Sequence, residues 1–256
     1  FAVLKRVKQT KQPFPMAFIV RVLLQLLEAL DYAHEVTDER GVALNVVHRD
    51  VSPNNVMVTY HGGVKLLDFG IARAASNRHQ TEAGIVRGKV GFMAPEQVRG
   101  LPLDRRADVF AAGTVLYSLV TGRFPYQQAS GPDPLAPYRA MAEGRFRPPR
   151  ELCPSLPAEL EAIILRAMAF DCGERYQTAS QIHRALEAFA RSADLALGAR
   201  ELGDWVRGLF PEKSGLSKSA PELVDAITAV KLFELSDPEL VPPEERQGPA
   251  TPAVAL

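Results

Sequence analysis

The chain has 256 residues, of which 46% are hydrophobic and 23% charged, enough apolar material for a packed core in one large or two small domains. Thirty lysines and arginines balance thirty aspartates and glutamates, and the isoelectric point is near 7.2, which excludes the basic excess that nucleic acids and anionic membranes select. Two cysteines, Cys153 and Cys172, cannot build a disulfide framework, so both are expected as buried or half-buried thiols in a reducing compartment, the cytoplasm.

In chain order, FAVLKRVKQT opens without a methionine and without the basic-then-apolar layout of a secretion signal, and reads as the start of a fragment or processed product. In Met16–Ala33 the apolar residues Ile19, Leu23, Leu26, Leu27 and Leu30 recur at helical spacing. Arg21, Gln25, Glu28 and Asp31 make the same stretch too polar for lipid, so the pattern predicts a buried amphipathic helix over about 16–35 and no membrane segment. Val56–Tyr60 and Val64–Leu67 are β-rich runs joined by His61-Gly62-Gly63, a hairpin signal because glycine accepts positive φ.

Further helices are expected at about 109–121, closed by Gly122, and at 136–143, 158–169 and 178–190. Eight of the twenty prolines lie between Pro125 and Pro157 and mark a loop-rich connection; seven lie between Pro211 and Pro252 and mark a poorly ordered tail. Ahead of that tail, Leu202, Trp205, Val206, Leu209 and Phe210 share one helix face that is expected to pack back on the core, with docking of a partner as the alternative. The run PELVDAITAVKLFEL reads as another helix. The expected profile is mainly α with a small β-hairpin, free of internal repeats and of phosphate-loop patterns.

Three short motifs surround the hairpin: His48-Arg49-Asp50-Val51-Ser52-Pro53-Asn54-Asn55, Asp68-Phe69-Gly70 and Ala94-Pro95-Glu96. Alone, each is weak. Together and in this order, with a hairpin between the first two, they match the H-R-D-x-x-x-x-N, D-F-G and A-P-E set. From about residue 1 to 191 the chain resembles the bacterial eukaryotic-like Ser/Thr protein kinases. The resemblance implies the C-terminal (large) lobe of the protein-kinase-like fold over 1–191, followed by a C-terminal extension over 192–256.

It also implies a chemistry. Phosphoryl transfer asks the protein mainly for positioning and charge cancellation. By resemblance Asp50 is the catalytic base for the incoming hydroxyl, while Asn55 and Asp68 offer hard oxygens to magnesium. ATP and protein substrates are the implied partners, with no nucleic acid. Asp108 matches the aspartate that hydrogen-bonds the catalytic-loop backbone, and Arg175 matches the arginine that pairs with Glu96; both are structural in that family. Arg49 resembles the arginine that meets a phosphate on the activation segment. The hydroxyl residues between Asp68 and Glu96 are Ser76 and Thr81, so one of them, Thr81 favoured, is the expected phosphosite.

Two departures stand out. Ser52 occupies the place of the family's phosphate-contacting lysine, and Lys89 the place of a threonine that meets it. Lys89 is therefore expected to supply the missing cation near the γ-phosphate. Pro53 is kept and no arginine replaces Ser52, which favours Ser/Thr acceptors. Second, 49 residues precede Asp50, too few for a glycine-rich loop and a strand lysine, and Lys5 does not align as that lysine. Residues 1–11 are instead expected as the short helix after the hinge, with the small lobe absent. The competing expectation is a catalytically impaired or pseudokinase-like module that binds partner proteins.

Overall fold

Two helices open the chain, α1 over Val3–Thr10 and α2 over Met16–His34, in a computed structural model that describes residues 3–10, 14–68, 91–126, 135–196, 198–211 and 229–231. Helix α2 is the axis of the fold. Its apolar residues are buried on more than one face, with Val20, Val22 and Leu24 joining Leu23, Leu26, Leu27 and Leu30 in the core. The polar residues that ruled out a membrane span become tethers. Gln25 donates to the Gly62 carbonyl at 3.1 Å and accepts from the Val64 N–H at 3.1 Å, while Asp31 accepts from the Ser180 N–H at 2.9 Å. No helix among the described residues is long and apolar enough to cross a membrane.

After α2 the chain runs through an extended loop to a 3-10 turn, Pro53–Asn55, and the hairpin of β1 (Val56–Thr59) and β2 (Val64–Leu66). Val56 pairs with Leu66 and Val58 with Val64 in an antiparallel ladder. Gly62 closes the turn at φ +80°, and a Cβ there would lie 1.8 Å from the Ala199 carbonyl oxygen, so this position needs glycine on both counts.

Helices α3 (Pro95–Val98), α4 (Arg106–Thr121), α5 (Ala136–Ala142), α6 (Pro149–Leu152), α7 (Ala158–Ala167) and α8 (Ala179–Ser192) build the rest of the body. Helix α4 begins three residues ahead of the expected start, because Asp104 accepts the Arg106 N–H at 2.9 Å and satisfies one of the free donors of its first turn. It is buried almost throughout and ends on Gly122 at φ +66°. Thr178 caps α8 by accepting the Gln181 N–H at 3.2 Å. Cys153 and Cys172 are half-buried and free.

Among the described residues after 191, one stretch follows expectation and another departs from it. The amphipathic stretch forms α9, Ala199–Leu209, and packs back as expected, with Leu202, Val206, Leu209 and Phe210 in the core and Trp205 ring-to-ring with Phe18 at 4.3 Å. Of the run PELVDAITAVKLFEL, expected as a helix, residues 229–231 form strand β3, Ala229–Lys231, and the remainder lies outside the described residues, as does the proline-rich tail beyond it. The β3 backbone pairs antiparallel with β1, making a three-stranded sheet in the order β2-β1-β3. Helical spacing and alternation are hard to separate in so short an apolar run, and an open ladder on β1 settles the matter.

Candidate active site

The His48–Asn55 loop lies between α2 and the hairpin, and its shape is fixed by hydrogen bonds rather than by regular structure. Asp108, in the first turn of α4, is 1% exposed and is surrounded by donors. Its carboxylate accepts the His48 N–H at 2.7 Å and the Arg49 N–H at 2.8 Å, and lies 2.8 Å from His34 Nε2. These bonds hold Arg49 at φ +64°, a conformation that costs a side chain energy and persists where surroundings over-determine it. Gln97 adds a bond from its side-chain amide to the Arg49 carbonyl at 2.8 Å.

Asp50 and Asn55 are joined directly. The Asn55 amide donates to the Asp50 carbonyl at 2.7 Å, which leaves the Asn55 Oδ1 as the acceptor end of that side chain. His48 links this loop to the far end of the hairpin. Its Nδ1 takes the Asp50 N–H at 3.3 Å, so its Nε2 carries the proton and donates to the Leu67 carbonyl at 3.1 Å. Burial disfavours a second proton on this ring and lowers its pKa, against the opposing pull of Asp108 and Asp50. The Leu67 N–H in turn donates to the Asn55 carbonyl at 2.8 Å. Asp68 follows, exposed and at φ +54°. Two carbon-oxygen groups of the right hardness for magnesium, Asn55 Oδ1 and the Asp68 carboxylate, therefore sit at the entrance and exit of one rigid hairpin.

Glu96 and Arg175 meet away from this loop. Arg175 donates to both Glu96 oxygens at 2.7 and 2.8 Å, and to the carbonyls of Ala169, Arg106 and Phe170 at 2.7, 3.2 and 3.1 Å. All five guanidinium N–H groups are thereby used, and the plane stacks over Phe110 at 4.9 Å. Ser52 is buried, and its hydroxyl makes no hydrogen bond among the described residues. Phe69, Gly70, Ser76, Thr81 and Lys89 lie outside the described residues. Sequence reading missed His34 and Gln97. His34 showed only as the last residue of a helix, and Gln97 as a polar residue beside Glu96.

Comparison with known proteins agrees with this architecture. Residues 2–186 match the family described as protein kinase domain. The tyrosine-protein kinase MasK of Myxococcus xanthus is 46% identical over 215 residues, covering 84% of this chain and 33% of that protein. The serine/threonine-protein kinase Pkn1 of the same species is 37% identical, over 68% of this chain and 24% of its own length. The serine/threonine-protein kinase PknB of Mycobacterium leprae is 33% identical, over 71% and 28%. The chain thus spans a third or less of these relatives. With its three motifs, its helical lobe and its hairpin, it belongs to the protein kinase family.

Proposed function

We propose that this chain is the large lobe of an enzyme that transfers the γ-phosphoryl group of ATP to protein serine and threonine hydroxyls. The observation that carries the reading is the hydrogen-bonded circuit of Asp50, Asn55, His48 and Leu67, which ties the proposed base and both proposed magnesium ligands to one framework. In this reading Asp50 orients the acceptor hydroxyl and takes its proton. Asn55 and Asp68 hold magnesium through amide and carboxylate oxygens. Bound magnesium–ATP supplies the transferable phosphoryl group and neutralises charge on its oxygens.

Asp108, Glu96 and Arg175 keep the lobe in shape, Arg49 receives a phosphate on Thr81 or Ser76, and Lys89 stands in for the cation absent at Ser52. The large lobe is taken as 1–191, with the rest as its extension. Two free cysteines favour the cytoplasm.

The decisive experiment is transfer from radiolabelled ATP to a generic protein acceptor by the longest natural form of the protein, against its Asp50→Asn variant. Transfer that falls on the order of a hundredfold or more in the variant supports the reading. Equal measurable rates in both would remove Asp50 as the base, and no transfer in either, with a partner protein still captured, favours a non-catalytic binding module. The name of the 46% identical relative favours a second reading, tyrosine as acceptor, and phosphoamino-acid identification of the product separates the two.

A further inference from the structure

Everything after residue 191 would ordinarily be taken as an appendage to the lobe, yet its two described elements both fasten on the β1–β2 hairpin. Helix α9 meets the turn. A Cβ at Gly203 would lie 2.5 Å from the Tyr60 carbonyl oxygen and 3.2 Å from the Gly62 nitrogen, so helix and turn are in backbone contact. Arg207 donates to the same Tyr60 carbonyl and pairs with Asp204 at 2.5 Å. Helix α9 is itself seated on α1, where Arg6 donates to the Leu209 carbonyl at 2.7 Å.

Strand β3 takes the opposite edge of β1. Thr59 N–H and the Asn55 carbonyl are bonded toward β2, so the groups of the alternate residue Val58 face β3, where Val230 is its register partner. The segment also lies against the Pro53–Asn55 turn.

We propose that α9 and β3 form a brace on the hairpin that sets the affinity of the site for magnesium–nucleotide. The inference rests on the reading of Asn55 and Asp68 as magnesium ligands. These two residues flank the hairpin at its open end, so a tilt of the turn or release of its free edge shifts both of them relative to the rest of the site. Asp50 shares a bond with Asn55 but is also anchored from the other side, by the backbone that Asp108 holds at His48 and Arg49, so it follows that movement less than the two ligands do. Gly203 and the β3 backbone are thus positioning elements, and docking or release of the C-terminal segment is a means of control.

The test compares Gly203→Ala with Gly208→Ala in the longest natural form of the protein. Both replace a helical glycine with a better helix former, but a Cβ at Gly208 meets nothing within 4 Å. Expected for Gly203→Ala are at least fivefold weaker binding of magnesium–ADP, a matching rise in KM for magnesium–ATP, kcat within twofold, and faster amide exchange at Gly62 and Val64. Gly208→Ala should match the parent in all four. Val230→Pro, which removes the central donor of the β3 ladder, should speed exchange at Val58 while Thr59, bonded toward β2, stays protected, and should weaken magnesium–ADP in the same direction.

Unchanged nucleotide affinity in both variants, or tighter binding in either, overturns the brace. If Gly203→Ala fails to fold, Val230→Pro alone decides. Asp68→Asn separates the two ideas: if it leaves magnesium–ADP binding unchanged, the magnesium reading itself fails, whereas weakening there without weakening in the brace variants removes only the brace.

Discussion

Asp108 and Arg175 are each 1% exposed, yet one is an anion enclosed by donors and the other a cation enclosed by acceptors. Asp108 binds two consecutive backbone amides just ahead of Asp50, so it dictates the local path of the chain and holds Arg49 in its left-handed conformation. Arg175 binds the nearby carbonyls of Ala169 and Phe170 together with the distant Glu96 side chain and Arg106 carbonyl, so it dictates how its own stretch of chain stands relative to α3 and the start of α4. A buried charge of the first kind shapes a site. One of the second kind shapes a lobe. Damage to Arg175 should therefore appear chiefly as lost stability, and damage to Asp108 as lost activity beyond its stability cost.

Arg175→Met gives the largest expected effect, a loss of about 3–5 kcal/mol in urea unfolding, because Glu96 and three carbonyls lose their donor together. A loss below about 1 kcal/mol would show that the pair is not what joins these segments. Asp108→Asn should cost about 2–3 kcal/mol, since an amide presents one poor acceptor and a misplaced donor to two backbone N–H groups. Its phosphotransfer rate, measured where the variant is still fully folded, should fall well below that of Arg175→Met. If the two variants keep equal activity, the division between site and lobe collapses.

Gln97→Ala removes the bond to the Arg49 carbonyl and should cost about 1 kcal/mol, with a small drop in rate. The smallest effect is a pH dependence. Burial depresses the His48 pKa, so the unfolded chain binds a proton that the folded one refuses. Stability should accordingly be full above the ordinary histidine value of 6.5, fall as pH drops from there, and level off once pH is below the depressed value. His48→Phe should lower stability throughout and flatten that slope; an unaltered slope would assign it to another group.

Much of this molecule is legible in its residues. The hairpin ran to Thr59 and from Val64 to Leu66, within one residue of the expected runs, because β-branched residues and a glycine turn specify it locally. Helix α2 was found by its period, although periodicity showed one apolar stripe and missed that Val20 and Val22 are also covered. That depends on how many neighbours surround the helix, which no local pattern records. The Asp50–Asn55 spacing named both residues, but the bond between the Asn55 amide and the Asp50 carbonyl depends on the 3-10 turn that folds the loop back on itself.

The sequence by itself determined the family and the identity of the candidate site residues, since these rest on residue type and order. Tertiary structure decided the rest. It gave Asp108 a partner in His34, 74 residues away, and gave Arg49 a partner in Gln97, 48 residues away. It also turned part of a presumed helical tail into an edge strand on β1. The reason is common to all three: a buried polar group or an open strand edge must be satisfied, and which segment satisfies it is settled by what folding brings within reach.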